Sequence, residues 1–335
     1  MGEAVPEVVV THWVHPEVAG RLAEFCRPVV PSREESVWPR ARVRARARDA
    51  AGLVVCMADW VDEQLLAACP RLRVVSGVLK GHDNIDAAAC TRRGVWVTVL
   101  PDLLTAPTAE LAVGLTLAVM RRVTEGDAHV RGGRHAGWRP QFYGAGLAGA
   151  TVGIIGMGRL GQAVARRVRA FDARVVYCDP QPLSETCARG LGARRVTLPE
   201  LLKSSDVVVP LVPLSESTYH LLGAGELGLL RPGAFVVNAG RGSVVDEQAV
   251  AAALEAGRLG GYAADVFAFE DWRCPNRPPG IPGRLLAHPR TVFTPHLGSA
   301  VDEVRREMGL AVAAQVRQAL AGQRPDGAVN ELESG

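Results

Sequence analysis

T-V-G-I-I-G-M-G-R-L-G, residues 151–161, decides how the rest of this sequence is read. Val152, Ile154 and Ile155 make a short apolar run suited to a buried strand. Gly156, Gly158 and Gly161 follow with the G-x-G-x-x-G spacing of a turn that opens a helix. Gly156 permits the tight turn, Gly158 lets the backbone approach a pyrophosphate, and Gly161 lets the new helix pack on the strand. The helix N-terminus then offers free N–H groups to the phosphates. By itself the triplet is weak, because glycine supplies 36 of the 335 residues. The context strengthens it. A-V-A-R-R-V-R-A-F (163–171) reads as a helix and R-V-V-Y-C (174–178) as a second strand. Asp179 closes that strand, where an acid binds the adenosine ribose hydroxyls. The expectation is a dinucleotide cradle rather than a plain βαβ turn.

Outward from this loop, the length suits two domains. The 48% hydrophobic and 22% charged content is that of an ordinary soluble globule, and a net charge of +3 gives no ground for a nucleic-acid partner. The seven cysteines are scattered, with no C-x-x-C pair and no metal-like spacing with histidine, so reduced thiols in a cytoplasmic protein and no metal are expected. No basic region followed by an apolar run opens the chain, and the longest apolar stretch, Leu111 to Met120, is too short for a bilayer. A membrane partner is therefore not expected.

Short β-branched runs at 7–11, 52–57, 72–78 and 95–99 alternate with helix-like segments, which implies a first α/β unit with a parallel sheet. The five arginines between Arg40 and Arg48 alternate with Ala and Val and are flanked by acids, a pattern expected of a solvated helix. Pro101 and Pro107 bracket a hinge before one long helix, Thr108 to about Val130. Strands at 152–155, 174–178, 207–209, 234–238, around 262–265 and 291–294 then form a six-stranded doubly wound sheet. Val304, Met308, Val312, Val316 and Leu320 recur at helical spacing, so 301–320 is a helix returning to the first unit, and the polar tail after it is expected to be loose. The boundaries predicted are 1–103 with 299–335 for the smaller domain and 104–298 for the nucleotide domain. Asp246 is a good N-cap and Gly257 sits where a C′ residue belongs. Asn238 to Gly242 would then lie at the carboxyl edge of the sheet, where ligands bind in such folds.

Three polar residues stand at strand ends beyond the cofactor loop: Arg241 in N-A-G-R-G-S, Glu270 in D-V-F-A-F-E-D-W and His296 in T-P-H-L-G-S. Arg offers a rigid fork for an oxyanion, His passes a proton near neutral pH, and a carboxylate orients that His. Singly each has an ordinary structural reading. Together, after a nucleotide fold, they make an anion-plus-hydride site.

With G-M-G-R-L-G, N-A-G-R-G-S-V-V-D-E-Q-A-V, the Glu and T-P-H-L-G-S, nearly the whole chain resembles the D-2-hydroxyacid dehydrogenase family. L-K-G-H-D-N-I-D, R-G-V-W-V-T, P-D-L-L-T-A-P-T-A-E-L-A, G-W-R-P-Q-F-Y-G and F-E-D-W resemble its NAD-dependent phosphite dehydrogenase branch more closely still. The resemblance implies a Rossmann domain inserted into a smaller flavodoxin-like α/β domain, a homodimer, and oxidation of phosphite with hydride passing from phosphorus to NAD. It implies that Lys80, Gly81, Arg241 and Arg305 bind the small anionic substrate, with Met57, Trp138 and Tyr143 shaping the pocket. Thr108, Arg159, Leu160, Pro180, Pro213, Ala239 and Asp265, with the loop glycines, Asp179 and His296, would surround the cofactor. Most relatives carry a small apolar residue where Lys80 stands and a proline where Asp271 stands, and both departures are read as pointing away from an ordinary hydroxy acid. Asp179 favours NAD over NADP, with Arg159 or Arg174 leaving room for some NADP use. Two alternatives remain: a 2-hydroxyacid dehydrogenase or glyoxylate-type reductase, and an NAD-sensing scaffold or corepressor.

Overall fold

The computed structural model describes residues 5–35, 37–100, 102–274 and 276–332. The chain divides into two compact units, residues 1–104 with 300–335, and Thr105–Ser299. In the first, β1 (Glu7–Val10), β2 (Arg27–Val29), β3 (Gly52–Val55), β4 (Val74–Gly77) and β5 (Trp96–Thr98) pair in parallel in the order β2-β1-β3-β4-β5. That is the flavodoxin-like strand order. The helix Asp302–Leu320 covers one face with Met308, Val312, Ala313, Val316 and Ala319. Gln315 fastens it, accepting from the Thr98 hydroxyl at 2.9 Å and donating to the Val99 carbonyl at 3.1 Å.

The second unit holds β6 (Thr151–Ile155), β7 (Arg174–Cys178), β8 (Ala193–Arg195), β9 (Val207–Pro210), β10 (Ala234–Asn238), β11 (Leu259–Ala264) and β12 (Thr291–Phe293). All run parallel in the order β12-β11-β10-β9-β6-β7-β8. Every residue of β6, β9 and β10 is buried, as a sheet covered by helices on both faces requires. The order reverses between β6 and β9, and the ends of those strands mark the switch point at which a doubly wound sheet binds its ligand. This is the Rossmann arrangement read from residues 151–161.

Several expectations need correction. The sheet has seven strands, because the polar segment Ala193–Arg195 adds an edge strand that no apolar run announced. The long helix is two, Thr105–Met120 and Val123–Arg131, broken where Arg122 takes the left-handed conformation (φ 54°) and pairs with Glu125. Pro101 lies outside the described residues. Pro107 stands within the first turn of Thr105–Met120, where a missing N–H costs no helical bond. The tail is pinned rather than loose: Val99 donates to Gly327 at 3.0 Å, Val329 to Val97 at 2.9 Å, and the Asn330 side chain accepts from Val97 at 2.8 Å. The edge strand β5 leaves unpaired backbone groups, and the tail satisfies them. The arginine-rich helix Arg40–Arg46 is a surface element whose Arg40 and Arg42 pair with Asp62 and Glu35. All seven cysteines are free thiols, and among the described residues no helix is long and apolar enough to cross a membrane.

Candidate active site

At the carboxyl edge of the larger sheet, the chain leaving β10 turns on Asn238, which is fully buried. Its side-chain amide donates to the Arg241 carbonyl at 2.9 Å and its oxygen accepts from Gly240 at 3.1 Å. This closed turn presents Arg241, whose guanidinium donates to the Gly240 carbonyl at 3.0 Å. The next residue, Gly242, packs directly against the 267–268 backbone: a Cβ there would lie 1.9 Å from the Phe267 carbonyl carbon. Two carboxylates lock the approach. Asp271 accepts from the Ser243 N–H at 2.7 Å, and Glu247 accepts from the Ala268 N–H at 2.8 Å. The segment 268–270 is thereby held beside Arg241, and it carries Glu270.

His296 arrives from the other side. Its imidazole Nδ1 lies 2.5 Å from the Glu270 carboxylate, and its backbone is left-handed at φ 56°, an uncommon conformation for histidine that the surroundings must enforce. They do so through Asp265, which accepts from the Thr294 hydroxyl at 2.6 Å, Leu297 N–H at 2.7 Å and Gly298 N–H at 2.8 Å. Thr108 adds a bond to the Gly298 carbonyl at 3.1 Å. With Nδ1–H held by Glu270, Nε2 is left as the nitrogen that exchanges protons. The carboxylate stabilises the imidazolium that forms. A guanidinium for an oxyanion and a carboxylate-oriented imidazole thus stand on loops each tied by buried carboxylates, Asp271 and Glu247 for the first and Asp265 for the second.

Glu247 adds a pH dependence to this scaffold. Burial, with Asp271, Glu270 and Asp246 as neighbouring negative charges, pushes its carboxyl up to about 7, and its second oxygen is buried without a partner among the described residues. A raised folded-state value favours the protonated form, so its stabilising effect is complete below the ordinary glutamate range and is lost as pH rises through about 7. Glu247→Gln should therefore be more stable than the parent at pH 8, by up to about 3 kcal/mol, with the gain vanishing near pH 4.5. Urea unfolding at the two pH values checks this. An equal difference at both would mean that the native carboxyl titrates normally.

The cofactor loop fits a dinucleotide on geometric grounds. Gly156 sits at φ +95°, where a Cβ would lie 2.9 Å from the Leu211 carbonyl oxygen, and a Cβ on Gly161 would lie 2.2 Å from the Gly156 oxygen. Gly158, by contrast, faces open space and caps the helix Arg159–Arg169 without any side-chain acceptor, leaving that helix's first N–H groups for phosphate oxygens.

Residues 113–298 match the family described as D-isomer specific 2-hydroxyacid dehydrogenase, NAD binding domain. The chain is also 37% identical over 331 residues to a glyoxylate reductase of Thermococcus litoralis, covering 97% of each protein. It belongs to the D-isomer specific 2-hydroxyacid dehydrogenase family. A glyoxylate reductase of Pyrococcus furiosus is likewise 37% identical, over 97% of this chain and 96% of that protein. Among solved structures, a Thermus thermophilus protein superposes with TM-score 0.85 at 35% identity, covering 97% of this chain and all of that one. An NADPH-dependent glyoxylate/hydroxypyruvate reductase of Sinorhizobium meliloti, in complex with NADP and malonate, gives 0.82 at 31% identity, over 97% of each chain. The relatives' names therefore point to 2-keto acid reduction and not to phosphite.

Placed in this dehydrogenase, the expected cofactor residues take different positions. Asp179 ends β7 half-buried, its carboxylate accepting from Met157 N–H at 2.7 Å and Gln181 N–H at 2.8 Å, with lone pairs left over for ribose hydroxyls. Arg159 and Leu160 open the helix after the loop, Ala239 is buried in the Asn238 turn, and Pro180 and Pro213 are exposed. Arg174 begins β7, at the strand end opposite Asp179, and donates to the Gly149 carbonyl at 3.0 Å; it is withdrawn as a source of NADP tolerance. Asp265 directs its oxygens to the loop carrying His296 and so fixes the backbone around that histidine. Asp271 is 2% exposed and bonded to the backbone, so its identity reflects loop anchoring and is no marker of substrate. Trp138 and Tyr143 are 79% and 72% exposed in an irregular stretch after Val123–Arg131, and as placed they enclose nothing. A cavity of about 640 Å³ lined by Arg169, Arg174, Arg194, Lys203 and Arg231 lies where these strands begin, at the edge away from the chemistry. Among the described residues no group of three or more His, Cys, Asp or Glu side chains is placed to hold a metal.

In the smaller unit, Met57 follows β3, and Lys80 and Gly81 follow β4, all half-buried at the carboxyl edge of the sheet. Asp59 and Asn84 brace the 56–59 turn: Asp59 accepts from the Thr11 hydroxyl at 2.6 Å and Cys56 N–H at 2.8 Å, and Asn84 donates to the Cys56 and Asp59 carbonyls at 2.9 Å each. His12, just beyond β1, went unnoticed in the sequence. Burial, then the Arg305 charge, lowers it to about 3, so it is neutral, and its Nε2 has no hydrogen-bond partner among the described residues. Arg305 itself is half-buried and makes no ion pair among the described residues.

Proposed function

We propose that this family member oxidises phosphite to phosphate, with NAD as the hydride acceptor. The observation that carries the reading is Arg305: a half-buried guanidinium beside a neutral histidine, with no acidic partner among the described residues, at the carboxyl edge of the smaller sheet. Removing a cation from water without compensation is costly, and such charge is kept where an anionic ligand completes it. Arg241 suffices for the single carboxylate of a 2-keto acid. In the smaller unit the cations of Arg305 and Lys80 suit a compact dianion.

NAD, when bound, supplies the acceptor of the hydride released as the P–H bond breaks. The oxygen that phosphorus gains comes from water, whose proton passes to His296 Nε2 while Glu270 holds the ring. Arg241 binds the substrate oxygens and stabilises the charge that gathers on them in the transition state. A second reading is favoured by the relatives, which are named glyoxylate reductases. There Arg241 holds the carboxylate and His296 gives a proton to the carbonyl oxygen as hydride arrives.

Absorbance of NADH separates the two. The purified protein receives NAD⁺ with phosphite, D-lactate or D-glycerate, and NADH with glyoxylate. Turnover on phosphite is expected, and Lys80→Ala or Arg305→Ala should raise its KM by roughly ten- to a hundredfold, the effect of one charge-assisted hydrogen bond. Turnover on glyoxylate with none on phosphite would overturn the phosphite reading while leaving the Arg-Glu-His assignment in place.

A further inference from the structure

We propose that Arg195 is a cofactor-specificity residue whose guanidinium binds an adenosine 2′-phosphate, so that this chain uses NADP as well as NAD. The inference rests on the reading of 156–161 and Asp179 as the adenosine end of the dinucleotide site. Nothing in the local sequence ties Arg195 to that site. The edge strand β8 does so, because its parallel register sets Arg195 opposite Tyr177 and brings it to the carboxyl edge next to the end of β7. The guanidinium then curls over the turn that follows β7. Nε and Nη2 donate to the Asp179 carbonyl at 3.2 and 2.9 Å, and Nη2 also donates to the Pro180 carbonyl at 3.1 Å.

Three features suit this group to a phosphate. Its bonds are to neutral carbonyls of the turn that carries the ribose acceptor, and it makes no ion pair among the described residues, so its positive charge is not cancelled locally. The planar fork keeps further donors, since Nη1 makes no hydrogen bond among the described residues, and a fork is the geometry that phosphate oxygens accept. The Asp179 carboxylate already accepts two backbone N–H bonds, from Met157 and Gln181, which offset part of the negative charge that would repel a 2′-phosphate. Asp179 thus favours the free ribose, and Arg195 compensates when the phosphate is present.

The test is titration of the purified protein with NADH and with NADPH, followed by nucleotide fluorescence, for the parent, Arg195→Gln and Arg195→Lys. No substrate is needed, so the outcome is independent of whether phosphite or a keto acid is turned over. The parent should bind both nucleotides. Arg195→Gln should weaken NADPH by roughly tenfold and leave NADH within about twofold, as for loss of one partly exposed charged contact, and Arg195→Lys should restore part of the NADPH affinity. The parent's preference for NADH should also widen as salt is raised. Equal weakening of both nucleotides would reduce Arg195 to a brace for the Asp179 turn, and unchanged NADPH affinity in Arg195→Gln would place the phosphate elsewhere; either result overturns the proposal. Failure of the parent to bind NADH is a distinct result, which would remove the cofactor-loop reading itself.

Discussion

His296→Asn should lower turnover by about a thousandfold or more while leaving NADH affinity within about twofold of the parent. The size follows from what the ring does. In the proposed reaction it takes the proton, and its Nδ1 is held at 2.5 Å from Glu270, which leaves Nε2 for that exchange. Asparagine removes that capacity and keeps the fold. Among non-glycine residues it tolerates the left-handed backbone well, and the position sits at φ 56°. The bonds from Asp265 to Leu297 and Gly298 do not involve the ring and should persist. Glu270→Gln makes the companion measurement: it can still bond the ring but no longer stabilises an imidazolium, so kcat should fall more than KM changes. Retained turnover in His296→Asn, with unchanged melting, would remove His296 as the proton-exchanging group for either substrate.

Gly242→Ala should damage the protein at two levels. The added Cβ would stand 1.9 Å from the Phe267 carbonyl carbon and 2.2 Å from the Ala268 nitrogen. Both are backbone atoms, so no side-chain rotation relieves the clash and the two segments must separate. Separation breaks the Ser243–Asp271 and Ala268–Glu247 bonds and shifts Glu270 away from His296. A loss of about 3 kcal/mol or more in stability is expected, at the upper end of overpacking effects. Turnover should fall by at least about a hundredfold, since misplacement of a catalytic group by an ångström has that effect. Gly228→Ala is the control: a Cβ there meets nothing within 4 Å, and the substitution should be neutral or slightly stabilising. Parent-like melting and activity in Gly242→Ala would mean that the two loops do not approach so closely.

Both predictions concern contacts between segments, and that is where sequence reading reached its limit. The cofactor loop was legible because its logic is local. Gly156, Gly158 and Gly161 act within one turn, each for a steric reason that spacing alone reveals, and Asp179 ends the next strand. The helix capped by Asp246, whose side chain accepts from Gln248 and Ala249, and ended at Gly257 with φ +64° was legible for the same reason. The buried strands β6, β9 and β10 announce themselves as apolar runs. The edge strands β2 and β8 do not: each is only three residues long, R-P-V and A-R-R, too short to show a pattern.

The sequence by itself determined the doubly wound fold, the nucleotide loop and the residue types Arg241, Glu270 and His296, since strand periodicity, glycine spacing and side-chain chemistry are properties of contiguous residues. Only the tertiary structure decided that Glu270 meets a histidine 26 positions away, that Asp271 and Glu247 are struts, that Asp265 builds the His296 loop, and that Arg195 closes over a turn 16 positions earlier in the chain. Those pairings follow from strand order and register. Parallel strands bring together the ends of segments that the chain itself separates by whole helices.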